Sequence, residues 1–144
     1  MKLLELVSNN RKIIIITLFL ACTMFVVWLT LLKREPSINR TFKPELFWAF
    51  RIWIAGQHNG KAETIQYIEN VLFFIPFGFL FPWKEKWKHT FIGVLVSSVL
   101  IEVTQYIFVL DWCEIDDVIS NVIGALLGYW AFFVIKKRYR LQRG

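Results

Sequence analysis

The stretch Ser97–Gly128, SSVLIEVTQYIFVLDWCEIDDVISNVIGALLG, constrains the fold more than any other. An apolar segment carrying Ser98, Glu102 and Gln105 runs to Leu110, and an acidic turn occupies Asp111–Asp117. A second apolar segment then carries Asn121, Gly124 and Gly128. Long apolar segments joined by a short polar turn read as a membrane hairpin. On a helix, Ser98, Glu102 and Gln105 fall at i, i+4 and i+7 and so share one face. Asp117, Asn121, Gly124 and Gly128 make a similar seam on the returning helix. Two polar seams facing each other under an acidic lid look like a site.

Composition agrees with a membrane class. Hydrophobic residues make up 56% of the 144 residues, and the mean hydropathy is +0.49. With aromatics at 17% and charges at 19%, a water-soluble core could not hide the surplus. The same figures exclude disorder and a disulfide scaffold, and the length suits one domain, residues 1–144. The net charge of +6 sits mostly beside apolar segments, where Lys and Arg mark the cytoplasmic side. No basic helix or known binding motif points to nucleic acid. Cys22 lies in an apolar segment and Cys113 in a loop, so they are not expected to pair.

The expected fold is an all-α integral membrane protein, a four-transmembrane-helix bundle with spans at about 13–32, 67–82, 90–110 and 118–135. The first span follows a short basic lead, and its length and the lack of a small-residue cleavage site argue for retention. Residues 33–66 form the longest loop, with an Asn-Gly turn at Asn59–Gly60 and a sequon-like triplet at Asn39–Thr41. Its aromatic piece Leu46–Gly56 is too short to span, and reads either as an interfacial segment or as a helix packed over the bundle. In the second span, Pro76 should kink the helix and Gly78 should let a neighbour approach.

Orientation follows from charge. The N-terminus, the 82–89 loop and the C-terminal tail are basic, whereas the 111–117 loop has no cation. The expected protein is a multi-pass cell-membrane protein with both termini cytoplasmic and loop 111–117 extracellular. That places Asn70, Glu102, Gln105, Asp116, Asp117 and Asn121 near the outer leaflet as candidate binding residues. Glu102, about 12 Å below Leu110 by helical rise, costs roughly 2.5–3.5 kcal/mol unless paired or neutralised. Gln105, Asn121 and Asn70 are its expected partners. A cluster that only clamps helices is the alternative, although such bonds give about 0.6 kcal/mol each. Asp117 suits a helix cap, and with Asp116 it also suits a cation or acid–base work. No spacing is a metal signature, and no cofactor is expected. Gly124 and Gly128 read as packing residues.

Taken together, Asn70…Phe74-Ile75-Pro76-Phe77-Gly78…Pro82, Glu102-x-x-Gln105 and Asp116-Asp117-x-x-x-Asn121-x-x-Gly124-x-x-x-Gly128-Tyr129 resemble the VanZ-like family over roughly residues 66–130. The resemblance implies a small polytopic membrane protein of Gram-positive type bacteria. It further implies a link to resistance to the lipoglycopeptide teicoplanin, with no established reaction. Family members often carry an arginine a few residues before the Asp-Asp pair. Here that place holds Asp111-Trp112-Cys113, so if the arginine normally pairs the acidic residues, the resemblance implies a more negative site.

Three functions follow from this reading. One is a cell-envelope protein that binds an amphiphilic antibiotic or cell-wall precursor at the outer leaflet. Another is an intramembrane enzyme acting on a lipid or cell-wall precursor, with Glu102 and Asp117 as acid and base. The third is a proton-coupled transporter, which at four helices would need a homo-oligomer. The lipid bilayer is the partner common to all three.

Overall fold

The computed structural model describes residues 2–33, 41–80, 87–110 and 112–141. Asn39, Arg40, Pro82, Lys84, Lys86 and Asp111, which carry parts of the sequon, the motif, the basic loop and the acidic turn, lie outside them. Helix α1 (Lys2–Val27) continues through a π-helical turn (Trp28–Leu32). Strand β1 (Phe42–Lys43), helix α2 (Trp48–Ile54), helix α3 (Gly60–Leu80) and helix α4 (Trp87–Phe108) follow. Strand β2 (Cys113–Glu114) and helix α5 (Ile115–Leu141) complete the chain.

Among the described residues, three helices are long and apolar enough to cross a membrane: Ile13–Leu32, Trp87–Phe108 and Ile115–Arg138. The expected second span, 67–82, is not one of them. Its helix starts earlier, at Gly60, and its first half carries Lys61, Glu63, Gln66, Glu69 and Asn70. The other helices also outrun the apolar windows, since polar ends continue a helix that hydropathy alone cannot see. Helix α4 ends where Val109 takes a left-handed φ of 57° and the Leu110 N–H reaches back to the Gln105 carbonyl at 2.9 Å. A left-handed residue followed by this long return bond is a Schellman-type stop, usually built on glycine.

The exterior is apolar and the interior polar. Ile13, Ile14, Ile16, Met24, Leu100 and Trp130 are all exposed, whereas Ser98, Glu102, Gln105, Asp116, Ser120 and Asn121 are buried. Water would not tolerate that arrangement, and a hydrocarbon surround requires it. The protein is a membrane protein.

Helices α3 and α5 run parallel and touch backbone to backbone. A Cβ added to Gly124 would overlap the Val71 carbonyl, one on Gly128 the Ile75 carbonyl, and one on Gly78 the Ala125 carbonyl. These glycines let two helices meet where any side chain would hold them apart. Helix α1 packs antiparallel on α3 through edge-on ring pairs, Phe19–Phe77 at 5.6 Å and Phe25–Phe73 at 5.8 Å. Pro76 lies inside α3 without ending it.

The first loop folds back over the acidic turn. Strand β1 pairs in parallel with β2, Phe42 beside Cys113 and Lys43 beside Glu114. Helix α2 packs on α3, where Gly60 sits against the Ile52 and Trp53 backbone and the Phe50 ring meets Tyr67 edge-on at 5.1 Å. Trp53 and Ile54 remain exposed.

Candidate functional site

The three polar residues of α4 do share a face, and each reaches a different element. Ser98 accepts a hydrogen bond from the Asn121 side-chain amide on α5 at 2.7 Å. Glu102 Oε2 accepts the Glu114 backbone N–H of β2 at 2.9 Å. The Gln105 side-chain amide donates to the Thr30 carbonyl in the π-helical turn after α1 at 3.0 Å. Such turns open the backbone ladder, and this one lends a carbonyl to another helix. One face of α4 therefore ties together α5, the roof and the end of α1. All three side chains are buried.

The roof is held by carboxylates. Asp116 is 1% exposed and accepts the backbone N–H groups of Phe47 at 2.6 Å and Trp48 at 3.0 Å. It thus caps α2, a helix far away in sequence. Phe47 adopts a left-handed φ of 53°, a costly backbone for a non-glycine residue. Asp116 holds it there with two charge-assisted bonds. Glu114 accepts the Trp48 indole N–H at 2.8 Å and faces the Lys43 ammonium at 3.6 Å. That ammonium lies between two indole faces, 3.3 Å from the Trp48 centroid and 3.2 Å from that of Trp112. Buried carboxylates need such partners, and cation–π contacts strengthen as water is excluded.

The carboxylates of the turn are therefore not left uncompensated. Lys43, brought in by the strand pairing, stands beside Glu114. Lys43, Phe47, Trp48, Trp112 and Glu114 are the site residues that sequence reading did not single out. Lys43 lies in the long 33–66 loop, and nothing local links that part of the loop to the turn. Of the sequence-derived candidates, Glu102, Gln105, Asp116, Asp117 and Asn121 are all buried within this assembly. Asn70 is half-buried on α3 and joins none of these hydrogen bonds. The Glu102 bond found here goes to the roof, where Gln105, Asn121 or Asn70 had been expected. Asp117 is the third residue of α5, inside its first turn and not at the cap position before Ile115; it is buried and its carbonyl accepts the Ser120 hydroxyl at 2.9 Å.

Among the described residues three buried side-chain oxygens have no hydrogen-bond partner, Thr64 Oγ1 on α3 and, at this site, Gln105 Oε1 and Asn121 Oδ1. The Gln105 and Asn121 acceptors flank Glu102, one turn above it and beside Ser98 one turn below it. Each orphaned acceptor costs about 1–3 kcal/mol. Cys113, beside the same carboxylates, is a free thiol. Burial first, then the charges of Glu102, Asp117 and Glu114, push its pKa above the usual thiol range.

A helical bundle with an apolar exterior and carboxylates buried under a folded-back loop defines a small membrane protein with a polar interior. The chain belongs to the VanZ/LLP1 family, whose sequence model matches residues 18–136. It is also similar to Protein VanZ of Enterococcus faecium, with 32% identity over 106 residues. That alignment covers 72% of this chain and 63% of the relative, so the chain spans less than two thirds of the relative's length. No solved structure matches it.

Proposed function

We propose that this protein acts in the cell envelope at the outer leaflet, lowering the action of glycopeptide or lipoglycopeptide antibiotics such as teicoplanin. The site is centred on Glu102, Gln105 and Asn121 beneath the β1–β2 roof. The observation that carries the reading is the pair of unpartnered buried acceptors beside a buried carboxylate. Together they call for a ligand rich in N–H or O–H donors, as the amide- and sugar-bearing headgroup of an antibiotic or cell-wall precursor is.

Charge supports the orientation. Lys88, Lys137 and Arg138 are exposed at the start of α4 and the end of α5, at the end of the bundle opposite the roof, and the positive-inside rule assigns such an end to the cytoplasm. The parallel contact of α3 with α5 from Val71 to Phe79 supports α3 as a fourth crossing. The exposed Trp53 and Ile54 of α2 suit an interfacial segment. An enzyme using Glu102 and Asp117 as acid and base is less favoured, since the Glu114 N–H already engages Glu102.

The test is teicoplanin susceptibility in a sensitive Gram-positive host carrying wild type, Glu102→Gln or Asn121→Ala at matched membrane levels. Protection by wild type that both variants lose is the expected result. Equal survival of all three would remove the site from the account.

A further inference from the structure

The polar row beneath the roof is closed. Glu102, Gln105 and Asn121 are each 4% exposed or less, so a ligand reaches them only when a wall moves. The α3–α5 wall is fixed where backbone meets backbone at Gly124 and Gly128. The α4–α5 wall is tied by the Asn121–Ser98 bond, and parting it would turn a carboxylate and amides toward hydrocarbon. Lifting the roof turns the same groups toward water and headgroups, which hydrate them.

The roof has a firm half and a light half. Asp116 pins α2 through the Phe47 and Trp48 N–H groups. Strand β1 is two residues long, and the Cys113 N–H ties the turn to the Thr41 carbonyl beside it at 2.9 Å. Pro44, Glu45 and Leu46 join the halves and are exposed, so β1 can swing while α2 stays. The side chain that β1 sends into the roof is Lys43, whose ammonium lies between Trp48 of α2 and Trp112 of the turn and faces Glu114. One side chain thus fastens the light half to both the firm half and the turn.

We propose that β1 is a gate over the buried site and that Lys43 is its latch. The gate opens when the ammonium leaves the two indoles and β1 swings off β2, uncovering Glu114 and, behind it, Glu102. What passes through it rests on the proposed function; the motion rests on the geometry of the roof alone.

The test locks the gate. Phe42 lies opposite Cys113 in the strand register. Paired strands are about 4.8 Å apart, within the span a disulfide bridges, so Phe42→Cys should join native Cys113 on oxidation. The reporter is Gln105→Cys in the full chain in nanodiscs, with Cys22→Ser throughout and Cys113→Ser in the unlocked form. Asn121→Cys replaces it should the first fail to fold. The probe is 2-(trimethylammonio)ethyl methanethiosulfonate, a cation that does not cross bilayers, and adducts at the reporter are timed by mass spectrometry.

Relative to the unlocked form, Lys43→Gln should speed labelling about tenfold, the size of a desolvated cation–π contact. Lys43→Arg, which keeps the charge, should stay near the unlocked rate. The oxidised lock should slow labelling by about tenfold or more, even with Lys43→Gln. Equal rates in locked and unlocked forms would overturn the gate and place the entrance between helices. An unlocked Lys43→Gln rate no faster than that of Lys43 would overturn the latch, and failure of the disulfide to form would contradict the register on which both stand. Teicoplanin susceptibility separates the two readings. Where wild type protects, the lock should abolish protection; where wild type gives none, the proposed function falls and the labelling rates still decide the gate.

Discussion

Helix α5 meets its two neighbours in different ways. Toward α3 it shows Gly124, Ala125 and Gly128, and there the contact is backbone on backbone. Toward α4 it shows Asn121, and the contact is a side-chain hydrogen bond to Ser98, one turn from the buried Glu102. The first seam gains its stability from close packing alone, because lipid tails are as apolar as the helix and give no hydrophobic drive. The second gives up that packing to keep polar groups inside, among them Asn121 with an unpartnered acceptor. Under the proposed function the first seam holds the helices together and the second carries the binding site. Stability should depend mainly on the first and function on the second.

The largest effect on folding should come from the glycine seam. Gly124→Leu drives a side chain into the Val71 backbone, which cannot move aside as a flexible side chain can. Loss of folded protein is expected, read as the yield of monodisperse material in detergent. Near-normal yield would show that α3 and α5 are not in such contact.

Next comes the roof. Asp116→Ala leaves the Phe47 and Trp48 N–H groups without their carboxylate, at a cost of about 2 kcal/mol. Protease cleavage in the 41–59 loop should become faster while the membrane helices stay intact. Asp116→Asn, which keeps one acceptor, should lie between. Val109→Gly should act the other way, since glycine tolerates the left-handed turn ending α4. A gain of about 1 kcal/mol is expected from thermal unfolding.

The smallest effect is chemical. Burial and neighbouring carboxylates hold the Cys113 thiol protonated, so at pH 8 it should alkylate more slowly than an exposed cysteine, and faster as pH rises. Glu102→Gln removes one of those charges and lowers the thiol pKa, so the rate at pH 8 should increase. An unchanged rate would separate Cys113 from the carboxylate cluster.

Much of this was legible in the sequence where one helix carries the information. The i, i+4, i+7 spacing of Ser98, Glu102 and Gln105 put them on one buried face, and the spacing of Gly124 and Gly128 announced a close contact. What escaped lies between segments. Strands of two residues, Phe42–Lys43 and Cys113–Glu114, are too short to show a period, so nothing local paired them. The partners of Asp116 stand 68 and 69 residues away, and a cap supplied from that distance has no signature at the helix it caps. Lys43 read as one more loop cation, and only the strand pairing makes it the counter-charge of Glu114.

The account turns on the first loop and the acidic turn forming one roof tied down by Glu102. Amide hydrogen exchange in nanodiscs on wild type and Glu102→Ala tests this most directly. Segments 41–48 and 113–117 should be protected together in wild type, and should lose protection together in the variant while the α3–α5 seam keeps its own. Fast exchange at 41–48 in wild type, or a variant that leaves both segments protected, would contradict it.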